Sequence, residues 1–227
     1  MPRPRLSMKP AALLIAACGL LSTPSRSMAG TAIPVASFRS ITLEGGGEVI
    51  VHYGTTQRVM LSAGRMECTS VKVVDGELQI EGPHGRCRGE YNLLIEVQTP
   101  EVSELMVMDG GTLRTAGSFP SQKELLGRVE NGGRLDIRSM KVATVRAAIR
   151  QGGAIFTKPQ ANLLARIEQG GAVTYWGKPK VQSSIEHGGM VASGKAGDAN
   201  KPLSQLVSGA ETMPPIPPIP PVPTLGD

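Results

Sequence analysis

One pattern recurs six times along the chain: an aliphatic residue, two others, Gly-Gly, one more residue, and a second aliphatic residue. The segments run from Leu43 to Val49, Val107 to Leu113, Val129 to Leu135, Ile149 to Ile155, Ile167 to Val173 and Ile185 to Val191. They carry the pairs Gly45 and Gly46, Gly110 and Gly111, Gly132 and Gly133, Gly152 and Gly153, Gly170 and Gly171, and Gly188 and Gly189. The last five start at steps of 22, 20, 18 and 18 residues. A period near 20 is too short for helical-pair repeats and matches one turn of a strand winding. At each bend the glycines are expected to supply positive φ or a close backbone approach, and opening a groove is the functional alternative.

The approach to each pair reads as strand. Val145, Ala147 and Ile149 alternate with Arg146, Ala148 and Arg150; Leu163, Ala165 and Ile167 alternate with Leu164, Arg166 and Glu168. Val181, Ser183 and Ile185 alternate with Gln182, Ser184 and Glu186 in the same way. Period-two alternation sends the first set inward and the second outward. The core positions are Val, Ile, Leu and Ala, with three Phe, three Tyr and one Trp in the whole chain. Small, similar side chains suit the stacking of similar layers. The fold class this predicts is all-β: a parallel β-solenoid, right-handed and β-helix-like, with coils of about 18–22 residues.

Such a stack would align residues in rows. One outward row reads Met108, Glu130, Arg150, Glu168, Glu186, with Arg150 between two carboxylates, and another joins Arg114 to Asp136. Just before the glycines stand Asp109, Asn131, Gln151, Gln169 and His187, a polar ladder able to bond along the stack.

From Ser37 to Gln98 the chain is also strand-rich, with alternating runs at Phe38 to Leu43, Glu48 to Tyr53 and Arg58 to Ser62. Val71 to Ile80 reads as a hairpin around Asp75-Gly76, a type I′ pair, and Leu93 to Val97 as a strand stopped by Pro100. Patterning ends after Gly194, and Met213 to Pro223 has the composition of a polyproline II spacer or docking peptide.

Residues 1–29 read as a signal peptide: Arg3, Arg5 and Lys9, an apolar run from Ala11 to Leu21, then Ser27-Met28-Ala29 before the cut. The run is too short to span a bilayer. Ile15-Ala16-Ala17-Cys18 resembles a lipobox, so an outer-membrane lipoprotein anchored at Cys18 is the alternative, although Leu20 and Leu21 prolong the apolar run beyond it. Four of the 24 Lys and Arg and none of the 19 acids lie in this segment, leaving 20 against 19, a net +1. A near-neutral chain has no electrostatic footprint for nucleic acid. The cysteines left after the cut are Cys68 and Cys87, an isolated pair that becomes a structural disulfide in an oxidising compartment. His84 makes a metal site the alternative, without a clear fourth ligand.

Phe38-x-x-Ile41-x-Leu43-x-Gly, then Val71-x-Val-x-Asp75-Gly76-x-Leu78-x-Ile80, then Val97-x-Thr99-Pro100-x-Val102-x-x-Leu105-x-Val107 resemble the head GIN domain of putative autotransporter adhesins. The glycine-centred repeats continue the match, and Val173-x-Tyr175-x-Gly177-x-Pro179 is similar to a closing strand of that family. The resemblance covers about Ser37 to Val191 and implies a single-stranded β-helix-like fold in exported bacterial proteins, with an adhesin role and no catalytic motif. Strict Gly-Gly, the cysteine pair and the proline tail depart from the family pattern. The expected layout is a signal peptide at 1–29, a head GIN-like β-solenoid domain at 37–194 and a disordered linker with Pro-rich tail at 195–227. Within that domain, 37–105 forms a strand-rich start and 106–194 the Gly-Gly coils.

The functional expectation is an exported, non-enzymatic adhesin-like binding or structural module of the bacterial cell envelope, in the periplasm or on the cell surface, without cofactor or metal. Its partner would be an envelope glycan or protein, with self-association through a solenoid end as a second possibility. The rival is a carbohydrate-active β-helix enzyme using Glu168 and Glu186 one strand apart. Nothing in the pattern buries either carboxylate to make a general acid; Tyr175 and Trp176 could stack a sugar, but in a strand over 173–177 Tyr175 faces inward and only Trp176 outward, a poor platform. No Gly-x-Ser-x-Gly elbow, phosphate loop or clustered histidines appear, His52, His84 and His187 being scattered.

Overall fold

The structure, a computed structural model, describes residues 30–82, 87 and 92–207. The signal-peptide reading of 1–29 with Cys18, the candidate ligand His84 and the tail from Met213 to Pro223 lie outside the described residues.

Two open sheets make up the fold. In spatial order, the nine-stranded sheet holds β1 (Thr31–Ile33), β4 (Arg58–Ala63), β7 (Leu94–Thr99), β3 (Glu48–Tyr53), β9 (Thr112–Ala116), β11 (Arg134–Asp136), β13 (Ala154–Thr157), β15 (Ala172–Tyr175) and β17 (Met190–Ser193). The eight-stranded sheet holds β16 (Lys180–His187), β14 (Asn162–Gln169), β12 (Val142–Gln151), β10 (Gln122–Glu130), β8 (Glu104–Met108), β2 (Ser40–Glu44), β6 (Glu77–Glu81) and β5 (Ser70–Val74).

This corrects the expectation of an all-parallel, right-handed β-solenoid. Both sheets are mixed: β1 with β4, β4 with β7, and β5 with β6 run antiparallel. The cause is local. At Asp75 and Gly76 the φ angles are +52° and +79°, the two-residue turn that returns a strand beside itself and so enforces an antiparallel hairpin. Likewise β4 lies between β1 and β7, so the first third of the chain does not wind with one sense.

From β8 onward, each Gly-Gly joins a strand of the eight-stranded sheet to one of the nine-stranded sheet, and like strands pair in parallel. The register forms inward rows. Ile80, Leu43, Val107, Val129, Ile149, Ile167 and Ile185 are successive partners across the eight-stranded sheet. Val49, Leu113, Leu135, Ile155, Val173 and Val191 do the same across the other. All of these except Ile185 join one hydrophobic cluster, Val191 as a partly buried member. Each fully buried aliphatic contributes roughly 1.5–3 kcal/mol.

The second glycine of a pair is the constrained one. Gly153 has φ +97°, and a Cβ there would lie 2.5 Å from Val129 Cγ1 and 2.9 Å from Gly133 O. Gly152, at φ +69°, has open space around it. The first segment is a run of three, Gly45-Gly46-Gly47; the strand register sets Gly46 and Gly47, not the assigned pair Gly45 and Gly46, against Gly110 and Gly111, and positive φ falls on Gly45 and Gly47.

Residues 195–207, assigned by sequence to a linker, carry a short 3-10 turn (Ala196–Asp198) and one helical turn (Leu203–Val207). Arg138 holds this segment by donating from Nη1 to the carbonyls of Asp198 (3.1 Å) and Ala199 (3.2 Å), and from Nη2 to that of Lys201 (2.9 Å). No helix among the described residues is long and apolar enough to cross a membrane.

Candidate binding face

The alternation that buries one face of the eight-stranded sheet exposes the other, and surface grooves open along that outer face. Near its β5 end a groove of about 450 Å³ is lined by Asp75, Glu77, Gln79, Glu104, Met106 and Arg128 among others. Toward β16 a groove of about 340 Å³ lies over β12, β14 and β16. Arg146, Ala148, Leu164, Arg166, Gln182 and Ser184 line it, with Arg146 in register with Leu164 and Arg166 with Ala148, so the two arginines stand on a diagonal with the apolar pair on the other. One end of the face is thus rich in acids and the other in arginine.

Ion pairs fix these charges in place. Glu130, buried apart from its edge, accepts from Arg128 at 3.0 Å and Arg150 at 3.1 Å. Arg166 bonds Glu186 at 3.0 Å and lies 3.4 Å from Glu168. Arg146 pairs with Glu124, and Arg128 lies 3.5 Å from Glu104. Arg166 is the register partner of Ser184, and Arg146 of Leu126, so those pairs reach diagonally to the acid two residues along the neighbouring strand.

The outward row read from the sequence is therefore bonded differently. Arg150 pairs with Glu130 alone, while the guanidinium groups flanked by two carboxylates are Arg166, beside Glu168 and Glu186, and Arg128, beside Glu104 and Glu130. Arg114 and Asp136 are register partners, but Arg114 bonds Glu48 at 2.5 Å and Asp136 bonds Arg138 at 2.6 Å. Long side chains select the nearest counter-charge within reach, and that need not be the register partner.

The five polar residues before the glycines divide into two groups. Asp109 and Asn131 sit at φ +55° and +54°, where Asp and Asn are tolerated, and Asn131 Nδ2 donates to Asp109 Oδ1 at 2.9 Å. Gln151, Gln169 and His187 are extended strand residues in mutual register. A change of backbone conformation between Asn131 and Gln151 thus separates the row into two parts.

Cys68 and Cys87 form a disulfide with Cα atoms 5.7 Å apart, which removes both thiolates as metal ligands. His52 lies in β3 and His187 ends β16. Trp176 does not form an outward platform. It is 4 % exposed, stacks on Phe156 with centroids 6.5 Å apart, and donates from Nε1 to Lys195 O at 2.9 Å. Residue 176 lies just beyond β15, where strand alternation no longer sets its direction.

Two polar clamps escaped the sequence reading. Gln57 accepts from Phe38 N (3.2 Å) and donates to Phe38 O (2.6 Å) and Thr99 Oγ1 (3.2 Å). Arg138 is the other, and its spacing from Asp136 was the available signal.

Fold and face together define a class: an all-β, two-sheet protein that presents a grooved, charged sheet surface. Residues 37–124 match the family described as "Putative auto-transporter adhesin, head GIN domain", the family whose motifs the sequence resembles. Among solved structures the chain is similar to a putative adhesin from Bacteroides fragilis at 14 % identity and TM-score 0.49, covering 75 % of this chain and 98 % of that one. A putative adhesin from Parabacteroides merdae aligns at 13 % identity and TM-score 0.34, covering 73 % and 95 %. A putative lipid binding protein from Parabacteroides distasonis aligns at 14 % identity and TM-score 0.30, covering 72 % and 95 %. No curated protein matches the chain.

Proposed function

We propose that this chain is an exported, non-enzymatic, adhesin-like binding protein that holds an envelope glycan or protein on the outer face of its eight-stranded sheet. The observation that carries this reading is the groove lined by Arg146, Arg166, Ala148 and Leu164. Two guanidinium groups on one diagonal and an apolar pair on the other offer stacking area and bidentate donors to a carboxylate-bearing sugar or an acidic side chain. The family match over residues 37–124 supports the adhesin side of the reading. Glu168 and Glu186 are both engaged by Arg166, at 3.4 and 3.0 Å, on an open sheet surface, where nothing sets one carboxylate apart from the other for an acid and a base role. That argues against the hydrolase alternative.

Export rests on the composition of residues 1–29, with the periplasm or cell surface as destination and the domain spanning 37–194. A mature N-terminus at Gly30 in the exported fraction is expected; retention at Cys18 with a lipid shift would favour the lipoprotein. For binding, a glycan array and an envelope pull-down are compared between the natural chain and Arg146→Ala with Arg166→Ala. Ligand retained by the first and lost by the second is the expected result. No ligand above background for the natural chain would overturn the reading.

A further inference from the structure

β16 is the last strand of the eight-stranded sheet, and among the described residues no strand covers its outer edge. Val181 and Ile185 continue the inward rows, yet Ile185 is 43 % exposed while its partner Ile167 is fully buried. Beyond it, Met190 on β17 is 55 % exposed. A core row that ends in solvent costs the hydrophobic stabilisation its last members would otherwise gain, and an uncovered edge is a template for another strand.

Backbone geometry decides which registers that edge accepts. Lys180 N donates to Ala161 O at 2.7 Å, so Lys180, Gln182, Ser184 and Glu186 turn their amides to β14. Val181, Ser183 and Ile185, alternating with them, turn theirs to the open edge.

We infer that the occupant of this edge is a second copy of the same chain, paired β16 to β16 antiparallel about a two-fold axis at Ser183. In that register Val181 and Ile185 exchange amide hydrogen bonds with Ile185 and Val181 of the second copy, and Ser183 exchanges both with its own equivalent. Those three residues are the ones whose amides face the edge. The side chains match as well. Val181 lies against Ile185 on the core side, Lys180 lies against Glu186 on the outer side, and each pair occurs twice. Glu186 accepts from Arg166 through Oε1, leaving its second oxygen for Lys180.

The chain's own Pro-rich segment fits this edge poorly. An edge strand must donate at alternate residues, and from Met213 to Pro223 seven of eleven positions are proline without an N–H. Interfaces of this isologous kind close at two copies. With the axis normal to the sheet, both arginine-lined grooves lie on one side of the dimer, so a multivalent surface would engage both at once.

Sedimentation and light scattering of the full chain over a range of concentrations should show a reversible monomer–dimer equilibrium. Ser183→Cys should form a disulfide-linked dimer under mild oxidation, while the exposed control Lys141→Cys should not. Ser183→Pro removes an edge-facing donor and leaves the ladder to β14 intact, so it should abolish the dimer with unchanged circular dichroism. Lys180→Glu should weaken dimerisation about tenfold, and Lys180→Glu with Glu186→Lys should restore most of it. A chain that is monomeric at every concentration overturns the proposal, as does a dimer indifferent to Ser183→Pro and to the charge reversal. A dimer that forms only when residues 208–227 are removed would also overturn it, by making the tail the native occupant.

Discussion

The guanidinium of Arg138 lies 5.1 Å from the centroid of the Trp176 ring while its Nη2 bonds Asp136 Oδ2 at 2.6 Å. Its remaining donors hold three carbonyls of residues 198–201. A single side chain thus joins a strand end, the lone tryptophan and the segment that leaves the last strand. With Arg138 only 9 % and Asp136 only 11 % exposed, solvent screens the pair weakly.

Removing that cation should strand the Asp136 carboxylate and release the segment. Arg138→Ala is expected to cost about 3 kcal/mol in urea unfolding. Limited proteolysis should then cut within 195–207, with a shift in Trp176 fluorescence. Unchanged proteolysis would mean the segment is held by something other than Arg138.

The paired glycines should respond unequally to alanine. Gly152→Ala meets only the strain of positive φ, about 1 kcal/mol. Gly153→Ala adds a clash with Val129 Cγ1 and Gly133 O, so its loss should exceed that of Gly152→Ala by roughly 2 kcal/mol in thermal or urea unfolding. Equal losses would show that backbone conformation alone selects both glycines.

Reduction of the Cys68–Cys87 bridge, whose partners are 19 residues apart, should destabilise the fold by roughly 3 kcal/mol. The check is the urea midpoint with and without reductant, beside the Cys68→Ser, Cys87→Ser double variant. Because the bridge ties the chain before β5 to the stretch before β7, loss should be global rather than confined to one hairpin.

Gln57→Ala removes both hydrogen bonds to the Phe38 backbone and leaves its buried polar groups short of partners, a loss of about 2 kcal/mol. Gln57→Glu should also destabilise, since a carboxylate cannot donate to Phe38 O. Comparable stability of Gln57→Glu and the natural chain would show that the donor is dispensable.

For the outer face, polysaccharide incubated with the natural chain should release no reducing ends. Hydrolysis that disappears in Glu168→Gln would reinstate the enzyme reading, because that substitution leaves the Arg166–Glu186 pair in place.

Much of the local structure was legible. Alternation at Val145 to Arg150 and Leu163 to Glu168 gave the strands and their inward sides, because a strand's side-chain period is a local property. The Asp75-Gly76 turn was legible for the same reason. Pairing partners in the first third were not. Insertion of β4 between β1 and β7 depends on contacts distant in sequence, and no periodicity encodes them. The ion pairs around Arg166 and the burial of Trp176 were hidden too, since long side chains and loop residues settle by what surrounds them in space.

What the Gly-Gly repeat determined by itself is a chain that bends at fixed intervals and alternates its faces between bends. Positive φ at Gly153 and the close approach of Val129 make those glycines a local necessity. Only the tertiary structure decided that the strands form two open, mixed sheets rather than a uniform winding. It alone determined which charges meet on the outer face, and that the row through Ile167 ends at Ile185 in solvent. Bending is a property of a few adjacent residues, whereas pairing order and the counter-charge each arginine finds depend on the whole set of strands at once.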